Sequence, residues 1–416
     1  MDIVLSRDLQ EGALMRGAAA LDATKQFPAD RAVPTTSTQT VSSRASTRVP
    51  VEVQERIAGF MKPGSSGAYA AALVCRAWYP FAIKVFYEEV LFWSRRRVAI
   101  LMRLVLTNPR VKAQLAVTRK AEFHQYSFLS TFPHVFAKVL PSLTEIVITG
   151  LSGPLHPSFI RVLRSFSSVD RLDLTTLWVV NFHELRRLIS ALPNLKSLEI
   201  TNVNFGRKGS PLGTPLEDMP FWQTSVPNST RLQELWISLR SMGGQPNKEN
   251  YLIRWLANSS LCESLSQLTL SESMSRRRTA EDFVEQVNHL LRTIGPALKV
   301  LRLTDACISQ YDLSHNVNLT HVEFALLPAF GWQSFADRLR GVLKSIPSLR
   351  MTSISITHML ALLEDQPVPD ATALKPLHET LRSPAYARIT GANFSMLVMS
   401  SSGGWESEFN TILAPW

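Results

Sequence analysis

Cys75, Cys262 and Cys307 are the only three thiols in 416 residues. A nucleophilic cysteine needs a histidine and an orienting Asn or Asp in a known arrangement, and a structural zinc needs closely spaced Cys or His pairs. Neither pattern occurs. The nine histidines are scattered. His183-Glu184 opens a helical stretch, but Arg187 stands one turn on where a second histidine ligand would be needed. No Gly-rich phosphate loop runs into Lys-Ser/Thr, and no HExxH or Gly-x-Ser-x-Gly string is present. These residues point to binding rather than catalysis, with no metal and no cofactor expected. Cys75 reads as a small apolar contact.

Charge is the next resource. The formal net charge is +10. Much of it is local: Lys84, Arg95, Arg96, Arg97, Arg103, Arg110, Lys112, Arg119 and Lys120 face only Glu88 and Glu89 in that stretch. One reading is a patch for nucleic acid or an acidic partner; the other is the solvated face of an amphipathic helix. The run lacks interleaved aromatics and matches no nucleic-acid module, which favours the second. Acidic residues at Asp2, Asp8 and Glu11 break up any leader in the first twenty residues, and no apolar run approaches the ~20 residues of a membrane span. The expectation is a cytoplasmic or nuclear chain with no membrane partner. The low, odd cysteine count fits a reducing compartment.

Several elements must position these groups. Residues 1–47, with the Ser/Thr-rich run 33–44, read as a disordered tail. Val53, Ile57, Phe60 and Met61 give one apolar face to a short helix, and Pro63 to Gly67 end it. A second helix is expected from Ala68 to about Trp78, and a third from Phe81 to Tyr87, running into a strand at Val90–Trp93. Such a unit is too small to cover all of its large apolar groups and should leave a greasy patch outside.

The string Val49-Pro50-Val51-Glu52-Val53-Gln54-Glu55-Arg56-Ile57 resembles the opening signature of an F-box. Ala72-Leu73-Val74-Cys75-Arg76-Ala77-Trp78 resembles its second signature, at the expected distance. Val49 stands where Leu is usual, and the Gly/Ser-rich turn 64–67 is a further departure. The resemblance implies docking on a Skp-type adaptor that links to a cullin. The contact positions would be Val49, Pro50, Ile57, Leu73, Val74, Cys75 and Trp78.

From residue 140 an apolar-x-x-apolar-x-apolar triplet recurs: Leu143/Ile146/Ile148, Val169/Leu172/Leu174, Leu195/Leu198/Ile200, Leu232/Leu235/Ile237, Leu265/Leu268/Leu270, Leu298/Leu301/Leu303, Leu319/Val322/Phe324 and Met351/Ile354/Ile356. The starts lie 21 to 37 residues apart. The last two positions of each triplet have the period of a strand, and amphipathic helical stretches lie between triplets. Asn181 and Thr279 are plausible helix N-caps. The residue after each triplet is Ser or Thr in seven of eight cases. The pattern resembles an irregular leucine-rich-repeat solenoid. The expected fold class is therefore α+β: a small three-helix F-box followed by a leucine-rich-repeat-like α/β solenoid with a parallel concave sheet.

Side chains alternate with the buried triplets along each strand, and these alternating residues would line the concave face. Arg171, Asp173, Glu199, Trp236 and Arg302 are the candidate target-binding residues, with Val147 and Thr269 on the same rows. The domain plan is 1–47 tail, 48–93 F-box, 94–139 linker helix and N-terminal cap, 140–365 repeats, and 366–416 C-terminal cap and tail. Long rim loops are expected at 206–228 and 242–250. The function implied is the substrate-recognition subunit of a Skp–cullin–F-box ubiquitin ligase that holds an unknown protein target. The alternatives are a repeat scaffold outside ubiquitin transfer and, behind it, a basic nucleic-acid-associated protein.

Overall fold

The structure is a computed structural model that describes residues 49–74, 76–124, 132–150, 157–179, 182–205, 231–239, 248–272, 280–304, 310–326, 332–360, 371–382, 386, 388–389 and 391–398. The chain divides into two compact units. One comprises the residues up to Phe92 with Arg96–Glu122 and Lys138–Leu143; the other comprises Trp93–Arg95, Phe123–Ala137 and everything from Thr144. The segment 94–139, read from the sequence as one cap, contributes to both.

The first unit begins with α1 (Val51–Gly59) and α2 (Ser66–Val74). Pro50 opens α1 because its carbonyl accepts the Val53 and Gln54 N–H groups, both at 3.1 Å. Gln54 Nε2 also donates to the Val49 carbonyl at 2.6 Å, which holds the entry to the helix. Gly64 sits at φ 66°, the left-handed turn that a side chain would resist. Ser65 Oγ then accepts the Ala68 N–H at 3.3 Å and caps α2. α2 stops at Val74, short of the expected Trp78, because the Trp78 carbonyl accepts the Ala82 N–H and starts α3 (Tyr79–Glu88) instead. β1 (Glu89–Phe92), α4 (Arg95–Thr107), α5 (Pro109–Leu115) and β2 (Lys120–Phe123) follow.

α1 and α2 both turn small residues inward. α1 buries Gln54 and Ala58, and α2 buries Ala68 and Ala72. α3 supplies the bulk: Val85 and Phe86 complete the core with Ala58 and Ala68, and Tyr69, Phe81 and Tyr87 pack around them. The Phe86 ring lies 5.6 Å from Tyr69 and edge-on to Tyr87 at 5.2 Å.

The second unit is a run of strands and helices in chain order: α6 (Phe132–Phe136), β3 (Glu145–Thr149), α7 (Pro157–Leu163), β4 (Arg171–Thr175), β5 (Trp178–Val179), α8 (Phe182–Ile189), β6 (Ser197–Thr201), β7 (Asn204–Phe205) and β8 (Glu234–Leu239). It continues with α9 (Lys248–Ala257), β9 (Gln267–Glu272), α10 (Ala280–Ile294), β10 (Val300–Thr304), β11 (His321–Leu326), α11 (Trp332–Lys344), β12 (Ser353–Leu360), α12 (Ala371–Leu381) and β13 (Gly391–Val398). The strands of its main sheet lie in the order β3-β4-β6-β8-β9-β10-β11-β12-β13, and each of these pairs is parallel. β5 and β7 form a small parallel pair of their own. This is a parallel α/β array of repeats, in which stacking closes a core that no single repeat could.

The triplets carry the register. Ile146, Leu172, Leu198, Leu235, Leu268, Leu301, Val322 and Ile354 align across the sheet, and all are 1% exposed or less. Just before each strand runs a second ladder. The Thr144, Asp170, Lys196, Gln233, Ser266, Lys299 and Thr320 carbonyls each accept two consecutive N–H groups from the next repeat. Ser and Thr hydroxyls reinforce it: Ser266 Oγ to Gln233, Thr320 Oγ1 to Lys299 and Thr352 Oγ1 to Thr320. At the other end of the strands, Gly150, Thr176 and Asn202 occupy equivalent positions with φ of 72°, 56° and 55°. Each donates its N–H to a carbonyl at the end of the next strand, Gly150 to Thr175, Thr176 to Thr201 and Asn202 to Ser238.

Two sequence expectations are corrected. Val147 and Thr269 were placed on the open face but are each only 6% exposed, so alternation alone does not decide exposure. The loop expected over 242–250 is helical from Lys248, where α9 starts. The proposed caps Asn181 and Thr279, the insertion 206–228, the tail 1–47 and Cys75 lie outside the described residues.

Candidate functional site

Two surfaces stand out. The first follows from the inward-turned small residues of α1 and α2. With Gln54, Ala58, Ala68 and Ala72 facing the core, the larger apolar side chains point to solvent. Leu73 is 61% exposed, Val74 74% and Phe60 82%, and Val49, Val51, Val53 and Ile57 are exposed as well. Pro50 is also exposed and Trp78 is half-buried. Val51, Val53 and Phe60 were not among the contact positions read from the sequence. Their signal was already present, because Val51 and Val53 share the helix that carries Ile57 and Phe60 caps its C-terminal end. A folded unit gains nothing from keeping this many large apolar groups in water; burying one against a partner is worth about 1.5–3 kcal/mol.

The second surface is the open face of the main sheet. Asp173 aligns with Glu199, and Glu199 aligns with Trp236 on the following strand. Trp236 is 44% exposed. Arg171 reaches diagonally to Glu199, Nη2 to Oε2 at 3.8 Å. Thr175 Oγ1 donates to Asp173 Oδ1 at 2.8 Å, and Ser197 Oγ to Glu234 Oε2 at 3.2 Å. Burial raises the Glu199 carboxyl above its ordinary range, and Asp173 and Glu145 push in the same direction against Arg171. Arg302 lies apart from this group. Its Nε donates to Glu323 Oε2 at 3.0 Å on the paired strand, so its charge is already answered. Sequence reasoning missed that pairing, since Arg302 and Glu323 lie far apart in the chain and meet only through the strand register.

Cys262 is fully buried, and burial pushes its thiol up to about 12, leaving no thiolate at neutral pH. His183 is held below its usual range by burial, with Arg186 and Arg187 adding to the shift. No group of three or more His, Cys, Asp or Glu side chains among the described residues could hold a metal ion. Arg119 pairs with Glu88 at 3.4 Å and Lys120 with Glu89 at 3.0 Å, so part of the basic stretch is offset locally. No helix among the described residues is long and apolar enough to cross a membrane.

No family model matches the chain. No curated protein matches it either. Among solved structures it is similar to the leucine-rich repeat domain of APL1B, at 10% identity over 75% of this chain and 94% of that one, with a TM-score of 0.25. Nine strands held parallel and in chain order, rather than that likeness, make the second unit a repeat scaffold.

Proposed function

We propose that this chain is the target-holding subunit of a Skp–cullin–F-box ubiquitin ligase. α1 and α2 would dock on the Skp-type adaptor, and the sheet face would hold the target. The supporting observation is the outward display of Ile57, Leu73 and Val74 on two short helices whose sequences resemble the F-box signatures. The chain would do no chemistry of its own. Tethering raises the target's effective concentration beside a charged conjugating enzyme, whose cysteine transfers the ubiquitin.

The test is co-purification of a Skp-type adaptor and a cullin with the full chain, against a Leu73→Glu/Val74→Glu variant. Both side chains are exposed, so the variant should fold with an unchanged melting temperature. Adaptor and cullin are expected with the parent and absent with the variant. Equal capture by both chains would refute the docking surface, and adaptor without cullin would favour a scaffold outside ubiquitin transfer.

A further inference from the structure

α11 and α12 pack against each other and leave a groove of about 340 Å³. Leu343, Ile346, Pro376 and Tyr386 form its apolar wall. Pro376 stands inside α12 and brings no N–H of its own. The two hydroxyls at the groove are engaged: Tyr386 OH donates to the Leu343 carbonyl at 2.5 Å, and Thr380 Oγ1 to the Pro376 carbonyl at 2.9 Å. The charged groups are not. Arg340 and Lys344 line the groove one turn apart on α11. Arg340 Nε is shielded from water and has no hydrogen-bond partner among the described residues. A guanidinium N–H held that way is costly, and native structures leave few of them. Glu379 lines the same groove from α12, and among the described residues no ion pair joins it to either cation.

Only an acceptor satisfies Arg340 Nε, and the neighbouring charges select its kind. Nε and one Nη of a guanidinium form a planar fork that matches the two oxygens of a carboxylate. Lys344 adds a second positive charge and Glu379 removes one, so the groove complements a single negative charge. A phosphate monoester, nearer −2, would bring uncompensated charge up to the Glu379 carboxylate. The volume lies at the small end of ligand pockets, and the apolar wall suits hydrocarbon. An exposed lysine or glutamate alone would be ordinary surface. The shielded, unpartnered Nε beside an apolar wall is what distinguishes this groove.

We infer that the α11–α12 groove binds a small monocarboxylic acid with a hydrocarbon body. The carboxylate rests on Arg340 and Lys344, and the hydrocarbon lies against Leu343, Ile346 and Pro376. This goes beyond the target-holding role proposed above and does not depend on it.

The experiment is calorimetric titration of the full chain with three probes: 3-phenylpropionate, its neutral amide 3-phenylpropanamide, and phenyl phosphate. The acid should bind with a dissociation constant of about a millimolar, and the amide and the phosphate should bind more weakly. Arg340→Gln should weaken the acid about tenfold and Lys344→Gln about threefold. Glu379→Gln should tighten it about twofold or more. Arg103→Gln, at an exposed cation on α4, should change nothing, which separates the groove from the general pull of a chain of net +10. Lys344 and Glu379 are exposed, so their variants keep the fold and decide the matter if Arg340→Gln does not fold. No binding of the acid up to about 10 mM, equal binding of acid and amide, tighter binding of the phosphate, or an affinity unmoved by Lys344→Gln and Glu379→Gln would each overturn the inference.

Discussion

At the scale of single residues, Glu199 carries the clearest electrostatic signature. Its carboxyl is raised by burial first and by Asp173 second, with Arg171 opposing. A group whose folded pKa lies above its unfolded value binds its proton more tightly when folded. Its proton therefore supports the fold at low pH, and that support is lost as pH rises through the folded pKa. Glu199→Gln should consequently melt at a higher temperature than the parent at pH 7, and the difference should vanish in acid, where both side chains are neutral. Thermal unfolding of both chains at pH 7 and in acid below the ordinary carboxylate range checks this. A variant less stable than the parent at pH 7 would mean that the Arg171 ion pair outweighs the desolvation. Thr176 is a second local conflict. It is a β-branched residue at φ 56°, a position where Gly150 and Asn202 serve in the neighbouring repeats. Its N–H donates to the Thr201 carbonyl at 2.8 Å, which holds it there despite the strain.

At the scale of elements, α1 and α2 are built inside out. Their fully buried positions are alanine and one glutamine, while valine, isoleucine and leucine are exposed, with Phe60 exposed at the end of α1. The alanines let the helices approach the aromatic α3 closely, and the same spacing leaves the larger groups no room inside. Sensitivity to substitution should invert accordingly. Ala58→Leu, at a position with no exposure, should overpack the core and cost about 1–3 kcal/mol. Leu73→Glu, on the outside, should cost no more than about 0.5 kcal/mol. Chemical denaturation followed by circular dichroism separates them, and the opposite ranking would show that the outward stripe is structural.

At the scale of the whole molecule, the solenoid was legible because each repeat states the same rule. Eight apolar triplets with strand period all became buried, and those on paired strands meet in register. The short strands β5 and β7 were not legible, since two residues carry no period. Nor was the exposure of individual open-face residues: Val147 and Thr269 follow the same alternation as Trp236, yet they are covered and it is not. Side-chain pairing across strands, as between Arg302 and Glu323, depends on a register that appears only once the sheet is assembled. On the helical unit, motif resemblance pointed to Ile57, Leu73 and Val74, and burial adds Phe60 and Val51 beside them.

The account depends most on the helical display being a docking face. Amide hydrogen exchange of the full chain, with and without a purified Skp-type adaptor, tests that directly. The account predicts that the adaptor slows exchange across residues 51–74 and leaves the β3–β13 strands unchanged. Unchanged exchange over 51–74 in the presence of bound adaptor, or protection confined to the sheet, would contradict it.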